Sequence, residues 1–213
     1  MRAATAAVIA FADQQYADAG YPEHSDALAA ALKVRVIVGD ENFAVDGPPS
    51  IVSQTPDTYA PRQRFTMFHE LAHILIQRSG LEDDLLAEVD EEDAEAHLEL
   101  VTNHIAGRLL IPDPVIRHYV KLHGFTPTAI TEIRRQARAS LAATIRRVAT
   151  WQPEREATIF LAGDRYILDV ASSDPWNRLR RYDRVPDLRA AVPDAELLAL
   201  SPMRRRTLGL ISR

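Results

Sequence analysis

The chain has 213 residues, of which 46% are hydrophobic and 26% charged, with a formal net charge of -5; such a composition is typical of a globular protein that buries a core. It contains no cysteine, which excludes disulfides, thiol catalysis and cysteine-ligated zinc, so any metal site must use His, Asp or Glu. The first twenty residues read as an amphipathic helix rather than a signal peptide, and no run of about 18 apolar residues occurs, so we expect a cytoplasmic protein with no membrane partner.

The two halves of the chain differ in charge. Residues 1–112 carry 7 Lys and Arg against 19 Asp and Glu, whereas residues 113–213 carry 18 against 11. An asymmetry of this size indicates two parts with different roles, although it identifies no partner.

Local patterns in the acidic half predict two helices, two short strands and a long third helix. Pro61 occupies a helix-initiating position and Gly80 a helix-terminating one. An all-acidic run follows, whose first part we predict to be a solvated, mobile loop. In order, the predicted elements are helices 2–18 and 27–32, strands 33–38 and 50–54, helix 62–78, loop 82–90 and a helix from 91 to 111.

The basic half is predicted to be helical first and β-structured afterwards. A helix begins at Asp113, and two more are capped by Thr126 and Ser140. A β-hairpin turns at residues 163–164, and the tail after Asp174 has weak patterning. The predicted fold is therefore α+β, in three parts: a domain of helices and short strands (1–124), a helical module (125–152), and a C-terminal β-hairpin with a basic tail (153–213).

The long helix contains the pattern His-Glu-x-x-His. His69 and His73 are four residues apart, which on an α-helix places both imidazoles toward one point, as two ligands of a tetrahedral zinc require. Glu70 projects from the same side, where a general base would act on a water. The flanking residues are apolar, and burying these polar groups costs free energy unless a ligand satisfies them.

A catalytic zinc needs a third protein ligand, and Glu99 on the following helix is the best candidate. Glu95 is a reserve ligand on the same face. Asn103, also on that face, either orients a liganding imidazole or makes a simple polar contact. His97 and His104 lie about 200° and 140° around the helix from Glu99, so we interpret both as ordinary helix histidines.

These residues resemble the ImmA/IrrE-type zinc metallopeptidases. The similarity covers residues 61–66 before the His-Glu-x-x-His motif and residues 95–112, which end in a Leu-Leu-Met-Pro-like signature; alignment on Pro112 puts the family's third ligand on Glu99. It continues through residues 130–149, similar to the helix-turn-helix-like segment of the radiation-response members. The later sensor-like domain of longer relatives has no counterpart in residues 153–213.

The resemblance implies that residues 1–124 form a zincin-like metallopeptidase domain and residues 125–152 a helix-turn-helix-like module. The activity it implies is that of a gluzincin-like metalloendopeptidase with zinc, or alternatively manganese, held by His69, His73 and Glu99. It also implies a protein substrate, a helix-turn-helix transcriptional repressor, whose cleavage switches on genes for stress response or mobile-element transfer. Glu70 is expected to activate a water made acidic by the metal. Tyr59 and Tyr119 are weak candidates for stabilising the oxyanion.

Two further interpretations concern binding partners. The strand 50–54 either pairs with an extended substrate at a sheet edge or is internal to the sheet. The rival functional class is a regulator that binds DNA or another protein and keeps a vestigial metal site. Its support is a set of arginines, for which the other interpretation is a solvated face or contacts to an acidic partner: Arg134, Arg135, Arg138, Arg146 and Arg147.

Overall fold

The structure is a computed structural model that describes residues 2–56, 59–201 and 205–212. Contacts along the chain divide it into two compact units, Met1–Pro112 and Asp113–Arg213. The α+β class is confirmed, since each unit combines helices with a small sheet. The predicted domain boundaries at residues 124 and 152 stay a prediction.

The first unit places five helices around a three-stranded sheet. Its strand order is β1-β3-β2, with β1 parallel and β2 antiparallel to the central strand β3. A short 3-10 turn, Glu91–Asp93, leads into the last helix. The elements are α1 (Ala3–Asp18), α2 (Ser25–Ala31), β1 (Val34–Val38), β2 (Phe43–Val45), β3 (Ser50–Gln54), α3 (Ala60–Ser79), α4 (Glu82–Leu86) and α5 (Ala94–Leu110).

Helix α3 is the centre of this unit, packed against α1, α5 and the sheet. Pro61 lies in its first turn, and Gly80 ends it with a left-handed φ of 68° that residues other than glycine rarely adopt. Its apolar side chains are fully buried between α5 and the sheet, so the helix cannot rotate without exposing them. They include Phe68, Leu71, Ala72, Ile74, Leu75 and Ile76.

The prediction of a mobile loop over residues 82–90 is wrong. The segment begins with α4, whose Leu85 is fully buried. The Glu88 carboxylate then accepts hydrogen bonds from the backbone N–H groups of Ala4 (2.6 Å) and Thr5 (3.2 Å). It thereby satisfies donors that the first turn of α1 leaves open, a role that no local pattern reveals.

In its described residues, the second unit joins four helices to a four-stranded antiparallel sheet of order β5-β4-β7-β6. The Thr126 and Ser140 hydroxyls accept the N–H groups of Ala129 (3.3 Å) and Ala143 (3.1 Å), so both predicted caps are confirmed. Its elements are α6 (Asp113–His123), α7 (Pro127–Ala137), α8 (Leu141–Ala149), β4 (Ala157–Gly163), β5 (Tyr166–Ser172), α9 (Leu188–Ala191), β6 (Glu196–Ser201) and β7 (Arg206–Ser212).

The predicted hairpin, β4 and β5, is confirmed, but it forms only half of a sheet. The tail after Asp174, predicted to be weakly patterned, supplies β6 and β7, and β7 pairs along the whole of β4. Gly209 in β7 faces the ring of Phe160, where a Cβ would approach a ring carbon to 2.0 Å. A buried aromatic residue on β4 therefore requires glycine opposite it, and a lone glycine in a polar tail is a weak signal for a strand.

Within the described ranges, none of the helices combines the length and the apolar character that a membrane crossing needs.

Candidate metal centre

The three side chains predicted to be metal ligands lie together in the first unit. His69 Nε2 and His73 Nε2 are 3.2 Å apart. The carboxylate of Glu99 reaches both rings, with Oε2 at 3.5 Å from His69 Nε2 and Oε1 at 3.3 Å from His73 Nε2. Among the described residues, this is the one group of at least three His, Cys, Asp or Glu side chains whose ligand atoms converge within 4.8 Å.

Helix α3 aims the two imidazoles. One helical turn separates His69 from His73, and their ring centroids lie 4.8 Å apart in an edge-to-face arrangement. Their neighbours Phe68 and Ala72 are fully buried. Because these neighbours hold the rotation of the helix, the two imidazoles share one direction and keep it.

Helix α5 supplies the carboxylate from the opposite side. Its buried side chains Val101, Ile105 and Leu109 pack toward the interior of the unit, and α5 lies against α3. The side chain of Glu99 remains 47% exposed, against 17% for His69 and 20% for His73. The cluster is therefore open to solvent on the carboxylate side, as a site that admits both a water and a substrate must be.

The arrangement fits a divalent metal such as zinc. Ligand atoms about 2.0–2.1 Å from a tetrahedral zinc lie roughly 3.3 Å from one another. The three separations among His69, His73 and Glu99 are 3.2, 3.3 and 3.5 Å. Two nitrogens and one carboxylate are also a donor set that zinc accepts in catalytic sites.

Glu70 follows the first histidine and is buried, with only 6% of its surface exposed. Burial, and then the negative charge of Glu99, raise the pKa of Glu70 to about 7. Within the described part of the chain, its carboxylate accepts no hydrogen bond from another residue. It is therefore a carboxyl group of near-neutral pKa beside the cluster and free to exchange a proton.

The protonation of His73 follows from the same surroundings. Burial lowers its pKa, as does the neighbouring imidazole of His69, and the carboxylate of Glu99 opposes both effects without cancelling them. Because the ring is neutral at physiological pH, its nitrogen lone pair is available to a cation.

Other polar residues of α5 are not brought into the cluster. Glu95 and Asn103 are exposed, and the Asn103 side chain makes no hydrogen bond to the two imidazoles. His97 instead faces Glu88, with 3.3 Å between His97 Nε2 and the carboxylate. His104 is half-buried and lies outside the cluster as well.

The edge-strand interpretation of residues 50–54 is wrong. These residues form β3, the middle strand of the sheet, with partners on both sides. The edge beside α3 is β2, a strand absent from the predicted elements. With only three residues, Phe43–Val45, β2 has too short a pattern to predict.

The two tyrosines considered as oxyanion stabilisers lie in different units. Tyr59 precedes α3 and is 53% exposed, and Tyr119 stacks on His123 in the second unit.

The second predicted site, the helix-turn-helix-like segment, has a different character. Helix α8 packs against β4 and β5 and buries Thr144, Ile145, Val148 and Ala149. Arg147 is also buried, ion-paired with Asp113. A recognition helix must present an exposed face to a groove, and little of α8 is exposed.

Other arginines of this segment have carboxylate partners at the surface. Arg135 pairs with Glu132 on the same helix, and Arg146 lies 3.5 Å from Asp169. Arg134 and Arg138 are exposed. Of the five arginines, Arg147 is the one that burial withholds from an anionic partner, and the other four lie at the surface.

Comparison with known proteins gives the following matches. Residues 55–149, from the approach to α3 through the end of α8, match the family described as the IrrE N-terminal-like domain. The radiation response metalloprotease IrrE of Deinococcus radiodurans is 30% identical over 112 residues, 51% of this chain and 33% of that protein. Its namesake in Deinococcus deserti is 30% identical over 107 residues, 48% of this chain and 37% of that protein.

A solved structure of a Mycobacterium tuberculosis transcriptional regulator resembles this chain with a TM-score of 0.63 and 16% identity, over 95% of this chain and 74% of that one. At this identity the likeness concerns the fold alone. The matches to the two IrrE proteins span only about a third of their lengths. The resemblance indicated by the sequence is confirmed, since residues 55–149 match the IrrE N-terminal-like domain and about half of the chain is 30% identical to the two metalloproteases named IrrE.

Proposed function

We propose that this protein is a metal-dependent endopeptidase that acts in the cytoplasm, with Glu70 as its general base. The observation that carries the proposal is the convergence of His69, His73 and Glu99 within 4.8 Å, open to solvent and next to a buried carboxyl group. The match to a metallopeptidase family supports the same chemistry.

His69, His73 and Glu99 would hold the metal, zinc first and manganese as the alternative. When bound, it supplies Lewis acidity, which polarises a peptide carbonyl and makes a water more acidic. The carboxylate of Glu70 accepts the proton of the attacking water and then delivers it to the nitrogen of the leaving amine.

An extended substrate segment would lie along β2. This strand is an edge of the sheet, so its side away from β3 can pair with another chain at the backbone groups that Gln77 does not bond. The sheet is attached to α3 on both sides of the ligands: the Gln54 amide donates to the carbonyl of Gln63 (2.7 Å), and Gln77 bonds the backbone at Ala44 and Asp46. A peptide added to β2 would therefore pass beside the two histidines.

The substrate we propose is a helix-turn-helix transcriptional repressor. Its cleavage would derepress stress-response or mobile-element genes. This part of the proposal rests on the family resemblance, and the two matched relatives carry the name radiation response metalloprotease.

Co-expression of the chain with repressors encoded near its gene tests the proposal. The wild type should cleave one of them, and Glu70→Gln should not, while both proteins retain about one metal ion per chain, because glutamine keeps the size of the side chain but cannot accept the proton. Glu95→Gln, an exposed carboxylate outside the cluster, is the matched control and should cleave normally. Cleavage by Glu70→Gln would refute the assignment of the base.

The rival, a regulator with a vestigial metal site, predicts binding to duplex DNA that a chelator leaves unchanged. The burial of Arg147 and the ion pairs of Arg146 and Arg135 weigh against this rival function. Fluorescence anisotropy with labelled duplex DNA at several salt concentrations separates the two functions. Steeply salt-dependent binding, together with no metal in the purified protein, would favour the rival.

A further inference from the structure

The last turn of α3 holds the end of strand β2 through side chains. Gln77 Oε1 accepts the backbone N–H of Asp46 at 2.7 Å, and Gln77 Nε2 donates to the carbonyl of Ala44 at 3.4 Å. The next residue, Arg78, donates from Nε to the Asp46 carboxylate at 2.9 Å and from a terminal nitrogen to Ser50 Oγ at 2.8 Å.

The carboxamide of Gln77 replaces a peptide group of a neighbouring strand. In a parallel ladder, one residue of the neighbour donates its N–H to the C=O of residue i and accepts the N–H of residue i+2. Gln77 makes the same two bonds to Ala44 and Asp46. A single side chain therefore occupies the backbone groups that an added strand would use at this end of β2.

These bonds lie on the free side of β2. Backbone groups of alternate residues in a strand point to the same edge, so the carbonyl of Ala44 and the N–H of Asp46 share one. The pairing of β2 with β3 ends at Val45, opposite Ile51. Gln54 accepts the N–H of Gly39 just beyond β1, so Ser53 and Ile51, which alternate with Gln54, point to β2. Their partners Phe43 and Val45 point to β3, and Ala44 therefore points away from it.

Gln77 also shares a helix face with the candidate metal ligands. His69, His73 and Gln77 follow one another at four-residue steps, and each step turns about 40° around the axis. The end of the free edge is thus one helical turn beyond His73.

We propose that Gln77 is a positioning residue that closes the free edge of β2 at Asp46 and so sets the register in which an extended peptide lies across His69 and His73. Because Gln77 also bonds the carbonyl of Ala44, an incoming strand pairs with β2 from the N–H of Ala44 back toward Phe43 and stops at the Gln77 carboxamide. This inference rests on the proposed endopeptidase function, and it adds the residue that determines which bond of the substrate peptide is cut.

The test compares the wild type with Gln77→Leu and Gln77→Glu. Leucine removes both hydrogen bonds, whereas glutamate keeps an acceptor for Asp46 and loses the donor to Ala44. Gln14→Leu is the control, because that exposed side chain bonds only Asp18 on its own helix. Amide exchange is measured by NMR on the metal-loaded full chain, and cut positions are mapped by mass spectrometry on short peptides of mixed sequence.

In Gln77→Leu we expect the Asp46 amide to exchange at least about tenfold faster, while Val52 in the central strand is unchanged. We also expect cut positions to spread over neighbouring bonds, with KM rising about tenfold or more and kcat changing less. Gln77→Glu should keep the Asp46 amide protected and show an intermediate KM.

Unchanged exchange at Asp46 in Gln77→Leu would overturn the pairing. If the wild type cleaves the peptides and Gln77→Leu shows the same cut positions and the same KM, the positioning role is overturned and the endopeptidase function is left intact. A metal-loaded wild type that cleaves neither these peptides nor a co-expressed repressor would overturn the proposed function and this inference together.

Discussion

Helices α3 and α8 each carry a sequence pattern with a functional interpretation, and the fold treats them differently. On α3, the His-Glu-x-x-His pattern predicts metal binding, and its side chains are arranged as metal binding requires, with His69 and His73 side by side near Glu99. On α8, the two arginines that support the rival DNA-binding function lie in different surroundings, since Arg147 is buried in an ion pair and Arg146 is exposed near Asp169.

The difference follows from how much of the fold each prediction depends on. The relative position of two side chains four residues apart is decided by the helix itself, whatever surrounds it. A recognition helix depends on which of its faces the rest of the chain leaves open, and here β4 and β5 cover α8. A motif within one turn of helix therefore predicts a site better than a motif that needs an exposed surface.

Removal of a single carboxylate should have the largest effect and tests the α3 side of this comparison. Glu99→Ala takes away one of three proposed ligands, so we expect zinc affinity to fall by more than about 100-fold, beyond the loss typical of changes around a metal site. Glu95→Ala, one turn away on the same helix and exposed, should bind zinc as the wild type does. Competition with a chromophoric chelator measures both affinities.

Equal losses in the two variants would mean that general negative charge, rather than the Glu99 carboxylate, attracts the metal. A full complement of zinc in Glu99→Ala would remove that residue from the site.

Two adjacent arginines test the α8 side of the comparison. Arg147→Ala removes a buried guanidinium and its ion pair with Asp113, whose side chain is 30% exposed, so we expect a loss of about 2–3 kcal/mol in the free energy of unfolding. Arg146→Ala removes a side chain that is 61% exposed and should cost less than about 0.5 kcal/mol. Urea denaturation measures both.

If Arg147→Ala unfolds at the same urea concentration as the wild type, α8 is not packed as described, and its arginines become available to DNA. The comparison between α3 and α8 would then fail.

The smallest predicted effect is a pH dependence at the end of β2. Burial raises the pKa of Asp46, but hydrogen bonds from Ser50 and Arg78 outweigh it, so the pKa lies below its ordinary value. The stabilisation from the ionised carboxylate is then fully present above the unfolded-state pKa of about 4 and is lost as the pH falls through the lower folded-state value.

Asp46→Asn should therefore cost on the order of 1 kcal/mol between about pH 5 and 7, and the difference from the wild type should shrink below about pH 4. Unfolding of both proteins by urea across this range measures the effect, with the exposed Asp40→Asn as the control. A difference that stays constant down to about pH 3 would contradict the assignment to the carboxylate.

Much of the fold is local and could be predicted from the sequence. Strand β3 has the predicted bounds, and most helices begin or end within two residues of the predicted positions. The exceptions have two causes. Strand β2 has only three residues and carries no periodic pattern. Strand β7 and the segment around Glu88 are held by partners far along the chain, which their own sequence does not reveal.

The sequence by itself determined the face that His69, Glu70 and His73 occupy, because helical geometry relates residues one turn apart. Only the tertiary structure decided the rest. It brings Glu99 within 3.5 Å of both imidazoles and leaves Glu95 and Asn103 in solvent. It also covers α8 with a sheet, and it sets the Gln77 carboxamide against β2. These contacts join residues separated by many positions, and the choice among them is made when the core packs.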